Sequence, residues 1–419
     1  MPATIFHGDA HPRRGERCST AAAYLEPALA DQSKHPHLAV LTHAHARRIV
    51  WASAEAAEGA PLRAAGVEYV WQGKEMRVAR ASKEVVLCAG AIESPHLLQL
   101  SGVGHPAQLE ACGIPLLHAL PGVGRNLQDH LELYQSYECL APVSLSPHLG
   151  LLRKALLGAR WLLFKDGLGA TNHFEAGGFV RSRAGVARPD VQLHFVPVAI
   201  SYDGKNAAPS STGHSFQVHV GYNRSPSRGT VTPTAPLAPS AATAHAPPPP
   251  PPPRPRVRFN YMSEEEDWRG FRAAVRIARE IVRQPAFDDL VGAEIQPGDS
   301  VASDAQLDAY LADHLESAYH PCGTCRMGAF DQPGAVVDGT GRVHGVRALR
   351  VVDASVFPTI TNGNLNAPTI MVAEKLADAI LGRALPPDEP AAAAVWADPH
   401  WHSRQRENAP QRRVWDGVF

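Results

Sequence analysis

Several things are scarce in this chain, and each scarcity excludes something. An excess of charge of one sign is nearly absent: 40 Lys and Arg against 41 Asp and Glu leave a formal net charge of −1. No basic surface recruits nucleic acid in bulk, and no acidic tail stands out. No apolar run reaches the roughly 18 residues that a membrane-spanning helix needs. The start, Met1 to Gly8, lacks the charged head and apolar core of a secretion signal. Peripheral contact with a membrane stays open. Cysteine is sparse, with six residues scattered at positions 18, 88, 112, 139, 322 and 325. In so long a chain these do not form a disulfide framework, and a reducing compartment is the expected setting. A dinucleotide fingerprint is missing too. Pro121 to His130 holds Gly122-Val123-Gly124, but Leu127 stands where the third glycine belongs and no strand-to-helix switch frames it.

What remains is ordinary globular composition, 44% hydrophobic and 19% charged over 419 residues, enough for a large core and two domains. Ser19-Thr20 precede a short helical start at residues 21–25. Leu38 to Thr42 is a candidate buried strand by its β-branched content. Residues 66–70 and 76–79 alternate around Gln72-Gly73-Lys74, which predicts a hairpin. Glu84 to Gly90 reads as a buried strand running into a glycine turn. Ser94 then caps a helix with Pro95 at its first position and Gly102 at its end. Such a strand, turn and helix N-terminus is a common seat for a phosphate or cofactor, and equally a plain αβ junction.

Alternation of apolar and polar residues marks 191–195, 216–220 and 256–261 as half-buried antiparallel strands, a sheet with one solvated or ligand-facing side. Residues 232–255 hold Pro, Ala, Ser and Thr almost exclusively, with prolines from 247 to 253 unbroken, and read as a surface loop. Ser263 with Glu266 predicts a capping box for a helix striped by Trp268, Phe271, Val275, Ala278 and Ile281 and stopped by Pro285. Ser303 with Gln306 starts a shorter helix. Leu349 to Ser355 reads as a strand ending in an acidic turn, and Pro368 opens a last helix closed by Gly382.

Two stretches near the end carry the chemistry: Glu316-Ser317-Ala318-Tyr319-His320-Pro321-Cys322-Gly323-Thr324-Cys325-Arg326-Met327-Gly328, and Asn362-Gly363-Asn364-Leu365-Asn366-Ala367-Pro368-Thr369. A histidine fixed before a proline can act as a base, and an asparagine in a rigid Asn-Ala-Pro turn can hold a developing oxyanion. With 21 His in the chain, one alone says little. The two motifs together say more. His320, Cys322 and Cys325 also spell His-x-Cys-x-x-Cys. A structural zinc needs four ligands and no second pair is nearby, and a redox CxxC wants a thioredoxin-like setting that is absent, so no metal is expected.

With those residues in view, the chain resembles the glucose–methanol–choline (GMC) oxidoreductases, and within them the choline-oxidising branch. Gly90 to Gly104 is similar to a family signature at every position. Pro121 to His130, Glu316 to Gly328, Val351 to Ser355 and Asn362 to Thr369 match in order and approximate spacing. The resemblance runs from about Gly15 to Gly382, broken at the Pro-rich insert. It implies an α/β fold of GMC type with an α+β substrate domain. Residues 1–130 and 316–385 would form an FAD-binding domain and 131–315 a substrate domain, with 386–419 a tail. It implies FAD as cofactor and oxidation of a primary alcohol, choline to betaine aldehyde on the way to glycine betaine, with electrons passed to an acceptor. His320 would be the base and Asn366 the donor to the alcohol oxygen. Tyr319 and Glu175 would face the trimethylammonium group. Gly90, Ser94, Asn126, Asp129, Asp353, Ala354, Asn364, Ala367, Pro368 and Thr369 would lie along the cofactor. The implied setting is the cytoplasm or an inner membrane surface, mitochondrial in a eukaryote. The family's βαβ unit with its G-x-G-x-x-G would precede the first matched residue. The alternatives are a GMC enzyme for another alcohol, or a fragment unable to hold FAD.

Overall fold

The computed structural model describes residues 15–52, 61–174, 176–200, 211–238 and 250–383. A helical turn at Ala21–Leu25 runs into α1 (Glu26–Ala30), where the short helical start was expected. An antiparallel sheet follows, β1 (Ala44–Trp51), β2 (Ala64–Trp71) and β3 (Glu75–Arg80), in that order. The β2–β3 hairpin turns where expected. Gln72 and Gly73 both take positive φ, 54° and 68°, the pair of left-handed residues a tight hairpin turn requires. The strand expected at Leu38–Thr42 is absent, and Leu38, Val40 and Leu41 are exposed. A strand needs a ladder partner, and pairing with β2 begins only at Ala44, opposite Trp71.

Next come β4 (Val85–Leu87), α2 (Gly90–Leu100), the two-residue β5 (Val103–Gly104), α3 (Pro106–Ala111) and β6 (His118–Ala119). Here the sequence reading places the helix start too late: α2 begins at Gly90, and Pro95 lies inside it. An interior proline leaves the carbonyl four residues back without its donor. That carbonyl belongs to Ala91, and the buried Thr324 hydroxyl donates to it at 2.5 Å. A residue far along the chain thus makes the proline tolerable.

The second body of structure is an antiparallel sheet. β7 (Leu131–Cys139) is followed by α4 (Leu151–Phe164), β8 (Ala176–Val180), β9 (Val191–Val196) and β10 (Ser215–Tyr222). β11 (Thr230–Thr232) and β12 (Arg256–Arg258) pair with each other, so the two ends of the Pro-rich segment meet in a short ribbon, as a loop requires. Residues 239–249 of that segment lie outside the described residues. The strand expected over 256–261 stops at Arg258 because Asn260 and Met262 turn to positive φ. α5 (Glu265–Val282) buries Phe271, Val275 and Ala278 of the expected stripe, but Ile281 is exposed with Val282 buried instead, and its capping box does not form. The Ser263 hydroxyl is engaged with Ser227 at 2.9 Å and Glu266 accepts from Tyr222. β13 (Val291–Gln296), α6 (Asp304–His314) with its Ser303–Gln306 box in place, β14 (Glu316–Ser317), β15 (Leu349–Val351) and α7 (Asn366–Leu381) follow among the described residues.

The large sheet runs β13-β7-β10-β9-β8, with β14 also on β7. Its period-two alternation sorts residues between faces. Leu131, Leu133, Val191, Leu193, Val218 and Val220 belong to one core with Phe271, Ala274, Val275 and Ala278 of α5. On the opposite phase, His219 stands across from Tyr134 on one side and His194 on the other. A second core gathers around the parallel pair β4–β15, whose register sets Leu349 beside Val85. That pairing brings the turn after β15 next to the turn after β4.

Candidate active site

The two motifs converge through loops rather than through sequence proximity. His320 follows β14 and is 3% exposed. Asp129, just before β7, holds its backbone: one carboxylate oxygen accepts the His320 N–H at 2.8 Å, and the other accepts the Ser317 and Tyr261 hydroxyls, both at 2.6 Å. Burial raises the Asp129 pKa against these bonds. Tyr319 sits at φ 60°, a left-handed conformation uncommon for a non-glycine residue, and is 61% exposed. It lines the pocket and is not a core residue.

Hydrogen-bond logic decides which nitrogen of His320 is free. His130 Nε2 lies 3.0 Å from the carbonyl oxygen of Thr361, which can only accept, so this nitrogen carries a proton. In a neutral ring the Nδ1 of His130 is then a lone pair. His320 Nδ1 lies 2.9 Å from it and must supply the hydrogen between them. His320 Nε2 is therefore the unprotonated nitrogen. An amide chain reaches the same answer from the other side. Asn223 donates to the Asn362 carbonyl at 2.6 Å and to Gln192 Oε1 at 3.1 Å. Gln192 donates to Asn364 Oδ1 at 2.8 Å, which leaves Asn364 Nδ2 facing His320 Nε2 at 3.4 Å. Burial holds both rings neutral. His130 is pushed down to about 4, and His320 to about 3 by burial and then by His130 and His194.

These residues open on a pocket of about 440 Å³. Asn364, Asn366 and Ala367 border it at the start of α7, and the polar phase of the sheet floors it with Glu132, Tyr134, Gln192, His194 and His219. Phe174 meets His194 and His219 edge-on, and His219 stacks on Tyr134 with ring centres 4.0 Å apart. Burial lifts the Glu132 carboxyl to about 7 and lowers His219 to about 3. Glu175 lies outside the described residues. His130, Glu132, His194 and His219 were not singled out as site residues from the sequence. The alternation in 191–195 and 216–220 was the available signal, since both histidines fall on its polar phase.

The remaining expected residues gather elsewhere. Asp353, after β15, accepts the Gly90 N–H at 2.9 Å and the Ser94 hydroxyl at 2.5 Å through one oxygen, and the Ser355 N–H at 2.8 Å through the other. Ala354 accepts from the Gly323 N–H. Asn126 is spent on the protein: it donates to the Gly323 carbonyl at 3.1 Å and accepts from Arg228 at 3.1 Å. Thr369 donates to the Leu365 carbonyl within α7, two residues into which Pro368 is tolerated. Cys322 packs with Phe357, Ile360 and Leu365, and Cys325 lies in the core around β4 and β15. Burial raises both thiols, which keeps them protonated.

Gly90 is where a bound group could come close. It has φ 84°, stands at the N-terminus of α2, and a Cβ added there meets no atom within 4 Å. Gly124, by contrast, faces the Val231 carbonyl, so that glycine serves packing. Val86 of β4 is exposed, although strands in parallel pairs are ordinarily covered on both faces. Open backbone, a helix N-terminus and an uncovered parallel strand fit one part of a dinucleotide site. The G-x-G-x-x-G turn that would take the pyrophosphate is not among the 419 residues.

A parallel αβ junction joined to an antiparallel sheet, with a buried neutral histidine facing an amide-lined pocket, is an arrangement that comparison with known proteins identifies. Family models described as GMC oxidoreductase match residues 6–132 and 240–373. The chain is 50% identical over 374 residues to oxygen-dependent choline dehydrogenase 1 of Chromohalobacter salexigens, covering 89% of this chain and 62% of that protein. It is 52% identical over 373 residues to oxygen-dependent choline dehydrogenase of Klebsiella pneumoniae subsp. pneumoniae, with 88% and 62% covered. The crystal structure of pyridoxine 4-oxidase from Mesorbium loti is similar with a TM-score of 0.69 at 28% identity, over 89% of this chain and 63% of that one. Formate oxidase, at 24% identity and a TM-score of 0.68, shares the fold over 81% of this chain and 60% of its own. The chain belongs to the GMC oxidoreductase family, whose cofactor is FAD. It spans a little under two thirds of the length of the curated relatives it matches.

Proposed function

We propose that the chain is the catalytic part of an FAD-dependent alcohol oxidoreductase that converts choline to betaine aldehyde, with dioxygen as acceptor, as the relatives' names indicate. The observation that carries the reading is the His320 Nε2 lone pair, fixed by two hydrogen-bond chains and facing the same pocket as Asn364 and Asn366. In our reading His320 Nε2 takes the hydroxyl proton of the alcohol. The amides of Asn366 and Asn364 donate to the oxygen as charge develops. His130 keeps the base in the correct tautomer and shares the positive charge that His320 acquires. FAD, when bound, supplies the two-electron acceptor for the hydride that leaves the carbinol carbon. Gly90, Ser94, Asp353 and Ala354 at one end, and Ala367, Pro368 and Thr369 at the start of α7, would hold it.

We divide the chain into an FAD unit, 1–130 and 316–385, and a substrate unit, 131–315. The antiparallel sheet β13-β7-β10-β9-β8, whose strands all fall within 131–315, supports that division, and β14 at the start of the second FAD segment joins it through β7. Peripheral membrane contact is part of the reading and rests on α4. None of its residues is buried, Leu151 is 88% and Leu163 75% exposed, and Arg153, Lys154, Arg160 and Lys165 flank the apolar face. That is the make-up of a helix lying on an anionic lipid surface. Among the described residues no helix is long and apolar enough to cross a membrane.

The test is the visible spectrum of the purified chain supplied with FAD and then with choline. Co-purifying flavin bands that bleach with choline support the reading. A protein that binds flavin but bleaches only with uncharged alcohols overturns the choline assignment, and a colourless one overturns activity of this chain.

A further inference from the structure

Asn364 is the amide nearest the base, and its two ends are not equivalent. With its NH2 toward His320 Nε2, at 3.4 Å, it donates to a lone pair. Turned over, it would set its carbonyl oxygen against that lone pair, and against an alcohol oxygen gaining negative charge. The two ends of a side-chain amide have nearly the same shape, so packing does not choose between them. Hydrogen bonds must.

The choice is made on the sheet. Gln192 is the second residue of β9, between Val191 and Leu193, which turn into the core. Its amide donates to Asn364 Oδ1 at 2.8 Å and accepts from Asn223 at 3.1 Å. Asn223 lies just past β10, its backbone N–H bonded to the Asp190 carbonyl at 2.8 Å, and its side chain also donates to the Asn362 carbonyl at 2.6 Å. Gln192 and Asn223 are both buried, so solvent does not replace a lost partner. A backbone carbonyl cannot turn over, which fixes the Asn223 NH2, then the Gln192 NH2, then the Asn364 NH2. The chain starts and ends on one loop. Asn362 is itself gripped there, donating to the Pro189 carbonyl at 2.9 Å and accepting from Arg224 at 3.2 Å.

We infer that Gln192 is a positioning residue for the oxidation: from the sheet it turns the Asn364 amide so that its N–H, and not its carbonyl, faces His320 Nε2 and the reacting oxygen. This rests on the alcohol-oxidation reading of the same site. His130 imposes the same tautomer through the other ring nitrogen, so the base is locked twice. Removing one lock leaves the other in force, and removing both frees the ring.

The test compares full-chain wild type, Gln192→Met, His130→Phe and the double variant. Nitrogen-15 NMR of histidine-labelled protein at about pH 7.5, without FAD or choline, reads which nitrogen of His320 carries the proton. The His320 signals are those missing from His320→Gln. Wild type and each single variant should show the proton on Nδ1, and the double variant should average over both nitrogens. In FAD-loaded protein, Gln192→Met should lower kcat for choline about fivefold, the size of one lost hydrogen bond, with KM within about twofold. In the His130→Phe background the same substitution should lower kcat by about 30-fold, because nothing then holds the ring. Asn223→Leu releases Gln192 from further out and should give the same pattern, and it takes the place of Gln192→Met if that variant shows no cooperative thermal melt. An unchanged kcat in Gln192→Met, losses that simply multiply in the double variant, or a single His320 tautomer there would each overturn the inference. The NMR result needs no flavin, so the two readings come apart. A freed ring in the double variant without choline oxidation by wild type sinks only the oxidation, and choline turnover with simply multiplying losses sinks the role of Gln192 alone.

Discussion

At the scale of single residues the site is organised by proton inventory. Two successive backbone carbonyls, Thr361 and Asn362, anchor the two chains that end on opposite nitrogens of His320. Because each carbonyl can only accept, every downstream proton position follows. His130 therefore matters through what it accepts. His130→Gln retains an acceptor for His320 Nδ1–H and should keep kcat within about tenfold, whereas His130→Phe removes it and should lower kcat by about 100-fold. KM for choline should stay nearly constant in both. Steady-state kinetics across pH checks this, because a merely structural defect would not be rescued by the amide. His320→Gln should remove activity in either background.

At the scale of elements, α2 shows how a local rule is broken and then compensated. Thr324→Val keeps volume but leaves the buried Ala91 carbonyl unmet, with an expected loss of about 1–3 kcal/mol. Pro95→Ala restores the helical N–H that can bond that carbonyl. The double variant should lose less than Thr324→Val alone, a non-additivity readable from urea midpoints. α4 gives a second test. Wild type should co-sediment with vesicles rich in anionic lipid and less so at high salt, and replacing Leu152 and Leu163 by Glu should abolish it. Sedimentation that is equal with purely zwitterionic vesicles would remove the electrostatic part of the argument.

At the scale of the whole molecule, the pocket's ionisable groups set how stability follows pH. His130, His219 and His320 all have folded pKa values near 3 to 4, below the ordinary 6.5. Their contribution is complete above pH 6.5 and is lost as pH falls toward 3. Glu132 runs the other way. Its folded value of about 7 lies above the ordinary 4.5, so its contribution is complete below 4.5 and lost as pH rises through 7. Each group changes stability by at most about 1.4 kcal/mol per pH unit within its window. Three histidines outweigh one carboxylate, and thermal melts should show a net loss between pH 6.5 and 4. His219→Gln should shallow that slope, and Glu132→Gln should flatten the decline above pH 6.

The family, the αβ junction at Gly90, the hairpin at Gln72-Gly73, the ribbon-closing loop and the pairing of the His320 and Asn366 motifs were all legible in the residues themselves. Each rests on local chemistry: a glycine needing positive φ, a two-residue period, or a motif whose spacing the loop preserves. The strand at Leu38–Thr42 and the Ser263 cap failed because their outcome depends on partners elsewhere, β2 in one case and Ser227 in the other. The start of α2 failed for the same reason, since Thr324 lies far along the chain from Pro95. The sequence by itself determined which side chains could do chemistry, since a base, amide donors and glycine turns are properties of residue type and order. Only the tertiary structure decided which of them act together. Strand register set Glu132, His194 and His219 on one floor, and loop closure put His130 against His320. A proton's position and a carboxylate's charge depend on neighbours within a few ångströms, and those neighbours lie far apart along the chain.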